Sequence, residues 1–166
     1  MMRPTPQQML QQSHDEFDEQ VVKINRTSKK TKGGSNVGFS ALTVVGDKKG
    51  RVGVGLGKAP DVASAIRKGL LLARKHLVYV PIKDGTIPFR VDIKLGAARV
   101  MLKPAPPGSG IIAGGAVRAV VSKAGIQNIS SKVLGTRNQL SNVYATMEAL
   151  RILSARQEAK KTTQKA

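Results

Sequence analysis

Residues 39–59 read FSALTVVGDKKGRVGVGLGKA, and the alternation inside them decides the fold. Phe, Leu, Thr and Val crowd residues 39–45, the composition of a pleated, half-buried strand, before Gly46-Asp47 interrupts them. Asp47 can start a turn and Gly50 can take the left-handed conformation that closes it, so a hairpin is expected here. In the returning strand Val52, Val54 and Leu56 alternate with Gly53, Gly55 and Gly57. Side chains on a strand have a period of two, so one face is apolar and the other is bare backbone that something must approach closely.

Upstream, VVKINRT at 21–27 predicts a further antiparallel strand, joined to the first by SKKTKGGSN. Downstream, Pro60 suits the first turn of a helix, and Val62, Ile66, Leu70, Ala73 and Leu77 recur at helical spacing. Arg67, Lys68, Arg74 and Lys75 are expected on the opposite side of that helix. Three antiparallel strands and one helix result.

A second sheet starts after VYVPI and the turn DGT, with strand-like runs at IPFRVDIKL and ARVMLKPA. The loop PAPPGSGIIAGG leads to a short helix ending at Gly125, a strand in IQNISSKVL, and a last amphipathic helix marked by Val143, Met147, Leu150 and Leu153. The class is α+β with two small domains, over 21–78 and 79–155, and their junction falls near residues 78–84. The polar segments 1–20 and 156–166 bury too little to fold alone and are expected to be mobile tails.

Charge sets the class of partner. The 166 residues carry 28 Lys+Arg against 10 Asp+Glu, a formal charge of +18. Such a chain repels itself until a polyanion neutralises it, so nucleic acid is the first partner to consider. No apolar run approaches the roughly 18 residues that cross a bilayer, and neither an amphipathic anchor nor a lipid signal is present. No membrane role is expected. The start MMRPTPQQMLQQSHDEFDEQ has no secretory apolar stretch, and the chain is expected to stay where it is made. With no cysteine there are no disulfides and no thiolate metal sites.

Catalytic readings fail on missing residues. GSGIIA matches a dinucleotide-binding fingerprint, but the ribose-binding acid that should follow is missing, since no Asp or Glu lies between Asp92 and Glu148. In VGVGLGKA, Val52 and Ala59 occupy the glycine and Ser/Thr positions that a phosphate loop needs. His14 and His76 have no constellation around them, and Asp47 and Asp61 have structural reasons to be where they are. No catalytic residue, metal or cofactor is expected.

The aromatic residues are too few to form a stacking platform for single-stranded bases, which favours recognition of backbone and shape. Arg26, Lys29, Lys30 and Lys32 then put four cations in seven residues beside Gly33-Gly34, where the main chain is free to turn back or approach phosphates. The candidate RNA contacts are Asn25, Arg26, Ser28, Lys29, Lys30, Lys32, Gly33, Gly34, Arg51 and Lys58, with Arg67, Lys68, Arg74 and Lys75 of the helix.

VVKINRTSKKTKGG, FSALTVVGDKKGRVGVGLGKA, AIRKG, ARKHL and GSGIIAGGAVRAVVSKAGIQNISSKVLGT occur together in this order over residues 20–155. The chain in this respect resembles the bacterial-type family of ribosomal protein five of the small subunit. The resemblance implies an N-terminal domain like a double-stranded RNA-binding domain without its first helix, followed by a two-layer α/β sandwich with a left-handed crossover. It also implies a non-enzymatic, cytoplasmic constituent of the small ribosomal subunit. Implied partners are small-subunit rRNA and ribosomal proteins four and eight, close to the channel through which mRNA enters, with an influence on decoding accuracy. Ser28–Gly34 would reach RNA of the subunit head, and Gly108, Gly110, Gly114, Gly115 and Arg118 would lie at the protein-four contact. The sequence departs from the family's usual pattern at Pro106, Pro107, Gln139 and Tyr144. A free-standing double-stranded RNA-binding regulator is the rival binding module, and a nucleotide-dependent enzyme the rival of another class. The glycine-rich second half argues against the first, and the missing acids against the second.

Overall fold

The computed structural model describes residues 17–163. The first half contains β1 (Asp18–Thr31), β2 (Gly34–Gly46), β3 (Arg51–Ala59), α1 (Val62–Lys75) and β4 (Leu77–Tyr79). The strands form one antiparallel sheet in the order β1-β2-β3-β4. The expected sheet of three thus gains a short fourth strand, whose Leu77, Val78 and Tyr79 pair with Gly53, Val52 and Arg51. Three residues straight after a helix carry no periodicity of their own, so only the pairing reveals them.

The bare face of β3 is covered by the chain's own helix. A Cβ on Gly53, Gly55 or Gly57 would run into the carbonyl oxygen of Ala73, Gly69 or Ala65 respectively. Two strand residues advance about 6.7 Å and four helical residues about 6 Å, so a glycine at every second position stays in step with a small residue at every fourth. Ala65, Gly69 and Ala73 are accordingly the buried positions of α1, while Val62, Ile66 and Leu70 of the expected stripe flank them half-buried. Asp61 caps the helix by accepting from the Ser64 amide at 3.2 Å.

The second half contains β5 (Val91–Leu95), β6 (Ala98–Pro104), β7 (Ile111–Ile112), α2 (Gly115–Ala124), β8 (Ile129–Val133) and α3 (Gln139–Thr163). Its sheet runs β5-β6-β8-β7, with β7 and β8 parallel and connected through α2. Gly125, in the left-handed conformation at φ 91°, ends α2 where expected. α3 begins earlier than Val143 and runs through the polar segment from Arg156 to Thr163, where a mobile tail was expected. Likewise Asp18, Glu19 and Gln20 belong to β1; the rest of the expected N-terminal tail, residues 1–16, lies outside the described residues, as does 164–166.

The two halves share one core. Leu42, Val44, Val52 and Val54, on the sheet face away from α1, join Val117, Val120, Val121 and Leu150 of the second half in a single buried cluster. Each fully buried Val or Leu contributes about 1.5–3 kcal/mol, so the halves stabilise each other through this contact. Main-chain bonds fasten the seam: the Lys48 amide donates to the Lys123 carbonyl at 3.0 Å and the Gly50 amide to Ala124 at 2.9 Å. Asp18 bridges both sides, 2.8 Å from Lys48 and 2.8 Å from Lys123.

Candidate nucleic-acid interface

β3 ends at Ala59, opposite Phe39, so the β1–β2 pair continues beyond the sheet without a third strand. Every residue from Lys23 to Val37 is exposed. The five steps from Phe39 to Gly34 carry this ribbon about 17 Å past the sheet. Register assigns its faces. Arg26 pairs with Phe39 and Lys30 with Ser35, on the side where Ala41 and Gly57 meet α1; Asn25, Thr27 and Lys29 point to the other side. Lys32 and Gly33 form the tip, and Thr31 Oγ1 donates to the Gly34 carbonyl at 3.2 Å. Positive φ falls on Gly34, at 149°, and not on Gly33.

No ion pair joins Arg26, Lys29, Lys30 or Lys32 to another described residue. Arg67, Lys68 and Lys75 are exposed on α1, and Lys58 is exposed beside Ser40 on the opposite sheet face. Two expected contacts are differently employed. Arg74 turns toward β1 and donates to Glu19 Oε1 at 2.6 Å, leaving its side chain 20% exposed. Arg51 donates from Nε to Asp47 Oδ2 at 2.7 Å and lies over the Phe17 ring at 5.3 Å. Burial opposes the charge on Asp47, but Arg51 and the amides of Lys49 and Arg51 outweigh it and hold the carboxyl below its usual value. These two arginines have carboxylate partners within the chain, unlike the cations of the ribbon among the described residues.

The glycine loop of the second half is organised by a residue not expected from the sequence. Asn128, 7% exposed, accepts through Oδ1 from the amides of Gly108 at 3.0 Å and Gly110 at 3.1 Å. Gly108 and Gly110 have φ of 89° and 67°, which favours glycine. The supposed dinucleotide fingerprint does not open a helix, because β7 intervenes before α2 starts at Gly115. Gly114 is the N-cap of α2, with no side-chain cap. Arg118 donates to the Ile111 carbonyl at 2.9 Å, so its fork is partly spent on the chain's own β7. Beside it an open groove of about 440 Å³ is lined by Ile111, Ile112, Arg118 and Lys132.

Residues 17–81 match the family described as ribosomal protein S5, N-terminal domain, and residues 93–163 its C-terminal domain. The chain belongs to the ribosomal protein S5 family. It is 50% identical to small ribosomal subunit protein uS5 of Thermotoga neapolitana over 157 residues, covering 94% of this chain and 88% of the relative. The uS5 protein of Thermus thermophilus is 45% identical over 146 residues, 88% of this chain and 90% of the relative. As an S5-family protein of bacterial type, the chain is a structural, non-enzymatic constituent of the small ribosomal subunit that binds rRNA. Both matched segments extend through the two halves described above, which gives no support to a free-standing regulator. Asp18, Glu19 and Asn128 are the polar residues of this S5-family chain that local pattern misses. Their partners lie far along the sequence, and the only local hint is the acid pair Asp18-Glu19, one residue removed from the apolar pair Val21-Val22.

Proposed function

We propose that the β1–β2 ribbon, with Asn25, Arg26, Ser28, Lys29, Lys30, Lys32, Gly33 and Gly34, is the principal rRNA contact. Arg67, Lys68 and Lys75 of α1, and Lys58, extend that surface. The observation that carries this reading is the ribbon itself: fifteen successive exposed residues, 23–37, whose cations have no carboxylate partner within the described chain. A two-stranded ribbon projecting from a packed domain can follow a groove while its lysines, on both faces and at the tip, neutralise phosphates on either side. Footprinting of small-subunit RNA tests it. The combined variant Lys29→Ala, Lys30→Ala and Lys32→Ala should lose protection of its target while unfolding at the same urea concentration; unchanged protection would remove the ribbon from the interface.

The glycine loop and α2 start, with Gly108, Gly110, Gly114, Gly115 and Arg118, form the proposed contact with neighbouring ribosomal proteins. Protein four is the proposed neighbour at this loop and protein eight a further one, near the channel through which mRNA enters. What supports it is the exposed Ile112, 57% accessible, beside a groove and a sheet edge whose carbonyl at Ile111 is already held by Arg118.

A further inference from the structure

The apolar sheet face of the first half and α3 of the second do not close completely on each other. Between them lies a cleft of about 380 Å³ whose lining includes Val54, Leu56 and Met147, with His76, Tyr144 and Arg151. The first three are buried or half-buried and form a floor. The last three are at the surface: Tyr144 is 40% exposed and the Arg151 side chain 67%. Lys75 adjoins His76 in sequence, and Lys68 lies two turns earlier on α1. Glu148, the acid beside this rim, is itself engaged with Arg151 at 3.3 Å.

An apolar floor beside the Tyr144 ring, with the Arg151 guanidinium at the rim, is complementary to a flat heteroaromatic ring attached to an anion. An aliphatic side chain would fill the floor but use neither the Tyr144 ring nor the Arg151 guanidinium. A phosphate alone would meet the rim and leave the floor wet. We propose that this cleft takes one unstacked nucleobase of the bound RNA, stacked on Tyr144, with its phosphate toward Arg151. The inference rests on the reading of the chain as an RNA binder and adds base contact to a surface otherwise built for backbone. Because the lining comes from β3 and the end of α1 in the first half and from α3 in the second, a seated base ties the two halves together. One ring suffices here, since a single base–aromatic stack has a substantial effect in proteins that otherwise track the phosphates.

The chain has two tyrosines and no tryptophan, so Tyr79→Phe leaves Tyr144 as the only tyrosine; Tyr79 is 62% exposed and tolerates the change. The full chain carrying Tyr79→Phe is titrated with oligoadenylate and with an abasic RNA strand of the same length. Oligoadenylate should quench Tyr144 emission saturably and bind about tenfold more tightly than the abasic strand. In the otherwise unchanged chain, Tyr144→Ala should abolish that preference and Tyr144→Phe should keep it. Equal affinity for the two strands overturns the proposal, and so does equal loss in Tyr144→Ala and Tyr144→Phe. Quenching by a leucine-rich peptide but not by oligoadenylate also overturns it and makes the cleft a protein contact. The abasic strand reports the underlying reading separately: its failure to bind at low salt would count against phosphate recognition as a whole.

Discussion

Gly55 sits at the centre of the contact between β3 and α1, against Gly69 and Ala73. A methyl group there meets backbone, which cannot rotate away, so Gly55→Ala should destabilise by about 1–3 kcal/mol or prevent folding. Urea unfolding checks it, and an unchanged midpoint would mean that α1 is not seated as described. The ribbon tip offers the opposite case. No atom lies within 4 Å of a Cβ built on Gly33 or Gly34, and only Gly34 has positive φ. Gly33→Ala should therefore be neutral in stability. Gly34→Val should strain the turn by about 1–3 kcal/mol locally and weaken RNA binding without unfolding the sheet. Equal effects of the two would show that backbone conformation at the tip is not the constraint.

At the scale of elements, the ribbon and the β7–α2 unit should be separable. RNA affinity of the whole chain should fall steeply with salt, and removing Lys29, Lys30 and Lys32 should reduce the log–log slope by about 2. A slope unchanged by the triple substitution would place the phosphates elsewhere. Arg118→Leu releases the Ile111 carbonyl and should cost about 1 kcal/mol locally, the net contribution of one hydrogen bond. It should leave the salt slope alone and alter association with neighbouring ribosomal proteins. If subunit closure on a codon needs that contact to shift, a weakened contact lowers the barrier for near-cognate codons as well, and misreading rises. A misreading reporter beside an RNA titration decides it; normal accuracy with reduced RNA affinity would make Arg118 an RNA contact.

For the whole molecule, the seam between the halves is the pH-sensitive element. Hydrogen bonds from Lys123 and then Lys48 hold the Asp18 carboxyl below its usual value. A depressed carboxylate contributes stability that is present above its unfolded value, near 3.9, and is lost as pH falls through the folded value. Asp18→Asn should therefore lower stability at neutral pH and flatten the acid limb of the unfolding profile, more so at low salt, because the pair is partly exposed. An acid limb identical to that of the unsubstituted chain would show that Asp18 does not fasten β1 to α2. Much of the molecule is legible in local sequence pattern. The period-two alternation of Val and Gly from Val52 to Gly57 announces a strand with one bare face. The crowding of Arg26, Lys29, Lys30 and Lys32 at a turn announces a polyanion contact, because charge and periodicity are local properties. The polar run from Arg156 lacks the apolar residues that would mark an element, yet its Ala, Gln and Lys are good helix formers, and α3 continues through it to Thr163. What no local pattern contains is pairing across distance. Glu19 neutralises Arg74 at a separation of 55 residues, Asn128 holds Gly108 at a separation of 20, and Asp18 clasps Lys48 and Lys123 together. The sequence by itself determined the longer strands and the helices' positions, the bare strand face and the sign of the partner's charge. Only the tertiary structure decided which arginines meet a carboxylate of the chain itself, as Arg51 and Arg74 do, because the partner is whatever the fold brings beside the side chain.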